Sequence, residues 1–344
     1  MKNNRIQFWR IVMTYVIAVY HFNKRYGVYT SGYIAVEFFF MVSGYLLADK
    51  YYRTKGSDNS EQLSAIRYVW GRYRKYWPHS AVAFFTAFLA VGVYRGYAIG
   101  DYLMGLATHL PELFLVNMLG FRTGGGISYN DITWFLSSLL IVSFLIWLFM
   151  KWNDRLYVGI VVPISVVLIY MYLYVRYGTL GVHEQFACLF VEEGVVRGLA
   201  DMNMGIAAYL ISGKTVLRHM KMNGIISTVC LLGGGVIMPC FFYHSKWDFL
   251  MLLMIFVGVT LAFGCENNGV FDKPIIEKWA GITLAIYLNH EVLTVLVCNY
   301  FKESTALVFI LWFVLITVYS MIVYAVIRTV IRKAANIGGA RGNI

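Results

Sequence analysis

Apolar runs of about 20 residues, the length that crosses a bilayer core, recur along almost the whole chain with short polar breaks between them. Lipid cannot satisfy backbone N–H and C=O groups, so helices carry the crossings. The runs predict an all-α polytopic membrane protein with ten transmembrane helices. They lie near 8–24, 32–50, 79–95, 132–150, 156–175, 196–212, 224–243, 247–265, 280–299 and 306–330. An even number sets both termini on one side. The two largest breaks, around 51–77 and 176–195, are too short to bury a core of their own. The expected organisation is one transmembrane domain over 1–333 and a short cytoplasmic tail over 334–344.

Three segments depart from this rhythm. Residues 101–120 are apolar enough to reach the membrane, but Asp101, His109, Pro111 and Glu112 interrupt the run. An outer interfacial or re-entrant helix pair is expected there. The stretch 54–66 reads as a polar cytoplasmic loop. Residues 67–78, RYVWGRYRKYWP, mix basic and aromatic side chains and end in Pro78, which can open the next helix. The loop FRTGGGISYND carries three glycines without a lysine in phosphate-loop spacing, so a plain outer loop is expected. No internal repeat supports an inverted-repeat transporter.

Composition fits this picture: 59% of the 344 residues are hydrophobic and 14% charged. The net charge of +11 raises the question of nucleic acid, and its distribution answers it. With the termini in the cytoplasm, 21 of the 29 Lys and Arg fall on that side. Only Lys24, Arg25, Arg95, Arg122, Arg176, Arg197, Lys246 and Lys302 fall opposite. This is the positive-inside pattern, so the lipid bilayer is the expected partner and nucleic acid is not. The basic-then-apolar N-terminus looks like a signal peptide, but Arg10 and His21 interrupt it and no small-residue cleavage site follows. The five cysteines show no metal-ligand spacing, and no metal is expected. A Cys188–Cys240 disulfide is the one pairing to check.

Candidate chemistry begins in the first span, RIVMTYVIAVYH. Arg10 and His21 are eleven residues apart, close to three turns, so they share a face and stand roughly 16 Å apart along the axis. Ionisable groups within membrane helices are functional candidates by default. Glu37 lies in the next span. Each has a competing structural role: Arg10 can snorkel to the interface, and His21, Glu37 and His290 can join neighbouring helices. Arg72, Arg74 and Lys75 can serve topology alone, and Trp134 the interfacial belt. For Arg197, an ion pair with Glu192 or Glu193 is expected. His79, His109, His183, His219 and His244 receive no role.

Several patterns together resemble the acyltransferase-3 family of integral membrane acyltransferases. They are Arg10 and His21 at this spacing, SGYIAVEFFFMVSGYLL with Glu37, and Arg72, Lys75 and Pro78 at three-residue steps. They continue with Trp134-Phe-Leu-Ser, then Arg197-Gly-Leu-Ala with Gly205 and Tyr209, and finally Tyr287-Leu-Asn-His290. Glu37 stands where the family often has aspartate, and Lys75 where arginine is common. The glutamate that many members carry after the tryptophan is missing from Phe135 to Leu140. That absence is similar to the subgroup linked to cell-surface polysaccharides. No segment here corresponds to the extra esterase-like domain of some relatives.

The resemblance implies transfer of an acyl group, usually acetyl from acetyl-CoA, to a hydroxyl of an extracytoplasmic or lipid-linked glycan. It also implies a bacterial plasma membrane. Arg10, Arg72, Arg74 and Lys75 would hold the donor phosphates at the cytoplasmic mouth. His21 would act as general base, oriented by Glu37. Trp134, Tyr287, Asn289 and His290 would contact substrate. The first three, with Ser137, are also candidates for stabilising a tetrahedral oxyanion. His290 and Glu291 remain alternatives for acceptor binding or for the base itself, and a covalent acyl-enzyme stays open. The competing class is a transporter or flippase that uses the same Arg, His and Glu path. A purely structural membrane partner leaves three buried ionisable groups unexplained.

Overall fold

The computed structural model describes residues 3–55, 63–120, 128–188, 191–213, 222–265, 271 and 273–337. The glycine run at 124–126, most of the 54–66 loop, Arg122, His219 and residues 338–344 lie outside them. The chain is an all-α polytopic membrane protein.

Helix α1 (Asn4–Arg25) starts where the Asn3 side chain accepts from the Ile6 N–H at 3.1 Å. Helix α2 (Ala35–Lys55) follows a short turn. Helix α3 (Ala65–Arg95) starts at Ser64, whose hydroxyl accepts from the Arg67 N–H, and ends at Gly96 in the left-handed conformation. Pro78 therefore does not open a helix but sits inside one. The Ser64 cap supplies the true start thirteen residues earlier, and burial of Tyr68, His79, Ala83 and Phe84 holds both halves in place.

Residues 101–120 hold two short helices, α4 (Ile99–Thr108) and α5 (Leu110–Leu113), followed by turns over 114–120. At 1.5 Å per residue α4 is about 15 Å long, half a bilayer core. Helix α6 (Thr133–Leu156), a turn of wider helix over 157–161 and α7 (Val162–Arg176) form a 44-residue apolar stretch. It is interrupted once. Asn153 leaves helical dihedrals, and its side chain accepts from the Leu156 N–H at 3.0 Å. That is an N-cap, so one helix stops and a second begins.

A two-stranded antiparallel hairpin, β1 (Phe186–Cys188) with β2 (Val191–Glu192), leads into α8 (Glu193–Ser212). The hydropathy pattern gave no sign of it. Then come α9 (Asn223–Leu232), α10 (Trp247–Gly264), α11 (Pro274–Tyr300) and α12 (Ala306–Ile337). Among the described residues, seven helical stretches are long and apolar enough to cross a membrane. Helices α1 and α8 are not among those seven. On α12, Leu307, Ile310, Val314, Val318 and Met321 form an exposed apolar stripe, which suits lipid rather than water. Cys188 and Cys240 are free, so the disulfide that might have joined them is absent.

The closest helix pair is α2 with α8. A Cβ on Gly44 would stand 2.0 Å from the Met202 carbonyl oxygen, and one on Gly205 would stand 2.0 Å from that of Met41. Small residues of this kind let membrane helices touch through their backbones. Partners ascend together, Gly198 with Phe40, Met202 with Gly44 and Tyr209 with Tyr45, so the two helices run parallel. Gly44→Ala or Gly205→Ala is expected to force the pair apart and destabilise the protein by about 1–3 kcal/mol. A lowered thermal midpoint in detergent, read by fluorescence-detected gel filtration, checks this. An unchanged midpoint for both variants contradicts the close approach.

Candidate functional site

Two chambers succeed each other along α1 and α11, which also run parallel. Gln7 and Arg10 share the first chamber with Glu277 and Ala280, while His21 meets His290 and Glu291 beside the second.

The first chamber, about 700 Å³, is basic. Arg10 enters from α1, Lys50 from α2, and Arg67, Arg72 and Lys75 from α3. The Arg10 guanidinium donates to Gln7 Oε1 at 2.8 Å. Arg72 donates to Ser143 Oγ at 3.2 Å and lies 5.1 Å above the Tyr68 ring. Among the described residues neither arginine has a carboxylate partner, so both can form charge-assisted bonds with an incoming anion. Arg74 is not part of this wall. Two positions beyond Arg72 is about 200° around a helix, and its side chain is exposed elsewhere. Tyr287 also lines the chamber, but its hydroxyl donates to the Ile132 carbonyl at 2.9 Å.

The second chamber, about 790 Å³, carries both signs of charge. His21 Nδ1 is 3.0 Å from Glu291 Oε2, and Arg25 Nη2 donates to Glu291 Oε1 at 2.7 Å. The imidazole and carboxylate form a close pair without an aligned hydrogen bond, since Glu291 Oε2 lacks a hydrogen-bond partner. A carboxylate at Nδ1 favours the tautomer with its proton there, leaving Nε2 as the acceptor. The His290 ring stands edge-on to His21 with centroids 5.1 Å apart. His290 Nδ1 contacts the Tyr287 carbonyl at 2.6 Å, so it carries the proton, and its Nε2 is buried without a partner.

Glu37 is elsewhere. Its Oε1 accepts from Arg197 Nη2 at 2.5 Å, and both side chains are fully buried. The expected orienting contact between Glu37 and His21 is therefore not formed; Glu291 occupies that place. The parallel α2–α8 contact is the reason, because it sets the start of α2 against the start of α8. It also gives Arg197 a partner other than Glu192 or Glu193. Glu193 instead accepts from the hydroxyls of Tyr172 at 2.6 Å and Tyr177 at 2.7 Å.

Trp134, only 6% exposed, has the His183 imidazole stacked on it at 4.7 Å and the Arg197 guanidinium over it at 5.3 Å. No open ring face is left for a sugar. The Asn289 amide donates to the Ala285 carbonyl at 2.7 Å, and Ser137 Oγ accepts from the Met118 N–H at 3.1 Å. The donors of Tyr287 and Asn289, two of the oxyanion candidates, are thus engaged with backbone.

The loop before Trp134 is fastened from two sides. The Glu112 carboxylate accepts from Ser128 Oγ at 3.0 Å and from the Tyr129 and Asn130 N–H groups. The Asn130 amide donates to the Leu288 carbonyl at 3.1 Å. Burial raises the Glu112 carboxyl above its ordinary range, although those same hydrogen bonds oppose the shift. In the 178–184 loop, burial of His183 works against its charged form. Asp131 and Glu184 outweigh it and raise that imidazole above its usual value.

Sequence reasoning missed Arg25, treating it as a topology signal. Its position four residues after His21 put it on the same helix face, and that was the available clue.

A family model described as an acyltransferase domain matches residues 6–329, nearly the whole chain. Comparison with curated proteins and with solved structures gave no match. The order Arg10, His21, Arg72, Lys75, Trp134, Arg197 and His290 and this match agree: the chain belongs to the acyltransferase-3 family of membrane acyltransferases.

Proposed function

We propose that this acyltransferase moves an acyl group, acetyl in the first instance, from acyl-CoA to a hydroxyl of an extracytoplasmic or lipid-linked glycan. The observation that carries the reading is the position of the His21–Glu291 pair beside the second chamber, three helical turns along α1 from Arg10 in a basic chamber. Acyl-CoA is the donor because its phosphates suit Arg10, Arg72 and Lys75, with the basic chamber toward the cytoplasm of a bacterial cell. The acceptor occupies the second chamber.

Glu291 keeps the His21 proton on Nδ1, and Nε2 takes the proton of the acceptor hydroxyl as its oxygen attacks the thioester carbonyl. The tetrahedral intermediate collapses, the carbon–sulfur bond breaks, and the imidazolium returns its proton to the departing thiolate. Arg25 holds the far carboxylate oxygen of Glu291, so the acid stays ionised and fixed. His290 backs His21, and its unpartnered Nε2 makes it a second proton acceptor within the same site. Glu37 serves as the counter-charge of Arg197. A transporter reading loses support because the basic chamber fits a phosphorylated donor and the family is one of acyltransferases.

Purified protein in detergent with radiolabelled acetyl-CoA tests the reading. His21→Ala is expected to remove donor turnover while the protein remains folded by gel filtration. Turnover equal to wild type in that variant defeats the role, and no turnover in folded wild type with acetyl- or succinyl-CoA returns the transporter reading. Glu291→Gln is expected to lower kcat by about 10²–10⁴-fold with little change in the donor KM, the range of general acid–base contributions. Arg72→Ala with Lys75→Ala is expected to raise the donor KM by at least about tenfold, since each charge-assisted bond contributes roughly 1.5–3 kcal/mol. Glu37→Gln removes the hydrogen-bonded counter-charge of buried Arg197 and leaves Asp201 as its neighbouring carboxylate. Its cost is expected in stability, about 3–5 kcal/mol, seen as a lower thermal midpoint.

A further inference from the structure

We propose that Asp131, His183 and Glu184 form a binding site for one divalent cation, of the zinc and manganese class, on the wall of the second chamber. The inference stands on geometry that the acyl-transfer reading does not use. It gives a role to His183, which received none from the sequence, where no metal was expected.

The three side chains come from two segments of the chain, one entering α6 and one leading into β1. Their ligand atoms all lie within 4.8 Å of one another. His183 Nε2 is 3.6 Å from Asp131 Oδ2 and 3.5 Å from Glu184 Oε1. Those gaps are too long for hydrogen bonds. In a tetrahedral site with bonds of about 2.0–2.1 Å, neighbouring donor atoms stand about 3.4 Å apart. The two gaps from His183 are close to that spacing. His183 Nε2 is also buried and has no hydrogen-bond partner.

The imidazole is already oriented. Its ring stacks on Trp134, and the His183 carbonyl accepts from the Gly194 N–H at 3.2 Å. Its neighbour Val182 accepts from Arg197 at 2.7 Å. Ordering the ligand therefore costs little on binding. Asp131 and Glu184 are 40% and 50% exposed and line the chamber, so an ion can reach them. One imidazole and two carboxylates are a donor set for zinc or manganese. Three protein ligands leave a fourth position facing the chamber, for water or for an oxygen of the acceptor.

The neighbouring cluster of His21, His290 and Glu291 suits a metal less well. Arg25 already compensates Glu291, the one carboxylate of that cluster.

The test is zinc and manganese binding to purified, chelator-stripped protein, read by equilibrium dialysis with elemental analysis and by isothermal titration calorimetry. Wild type is expected to bind one equivalent per chain and to gain thermal midpoint on binding. His183→Asn and Asp131→Asn are each expected to weaken Kd by more than about 100-fold, beyond the 10–100-fold typical of outer-shell partners. His21→Asn is expected to keep the stoichiometry. Absence of saturable binding in wild type overturns the proposal and leaves His183 as an imidazolium between two carboxylates. Binding retained in folded His183→Asn, or lost in folded His21→Asn, also overturns it. Should His183→Asn not fold, Asp131→Asn and Glu184→Gln carry the test, since both sites are partly exposed.

Discussion

A guanidinium buried in a membrane protein needs a counter-charge, and several elements of this molecule are arranged around Arg197. Glu37 supplies the charge from α2. The Val182 carbonyl takes a second N–H, and Trp134 of α6 lies beneath the cation. One side chain thus ties α2, α6, α8 and the loop before the hairpin to a common point. The contact exists because Gly44 and Gly205 let α2 and α8 touch backbone to backbone. Small residues along the contact allow a charged pair at its N-terminal end.

The same logic governs the second polar centre. His21, Arg25 and Glu291 meet because α1 and α11 run side by side in the same direction. Glu291 faces a cation on one oxygen and an imidazole on the other. A carboxylate held this way keeps its charge, and a charged carboxylate keeps its histidine oriented. The residues expected to face substrate mostly brace the centre instead. Tyr287 holds the start of α6, Asn289 holds its own helix, and Trp134 packs against both Arg197 and His183.

The all-α membrane fold was legible because apolar runs of membrane length leave few alternatives, and Asn153 separates two spans where the polarity rose. Other features depended on information that hydropathy lacks. Pro78 looked like a helix start because proline suits a first turn, while Ser64, a real cap, lay in a polar stretch with no periodic pattern. The hairpin at 186–192 was too short to show alternation. Within the site, Arg10 and His21 were visible from spacing on one helix. The partner of His21 was not, because it depends on which helices are neighbours. Glu37 was nearer in sequence and Glu291 nearer in space. Arg74 read as equivalent to Arg72 and Lys75 until helical rotation separated them.

Pro78 has one more consequence. A proline within a helix has no N–H to give the carbonyl four residues earlier, which is that of Arg74. The turn bearing Arg72 and Lys75 is therefore joined to the rest of α3 by one backbone bond fewer than an ordinary turn. Bending at that point moves the Arg72 and Lys75 side chains on the wall of the first chamber more readily than an unbroken helix would allow.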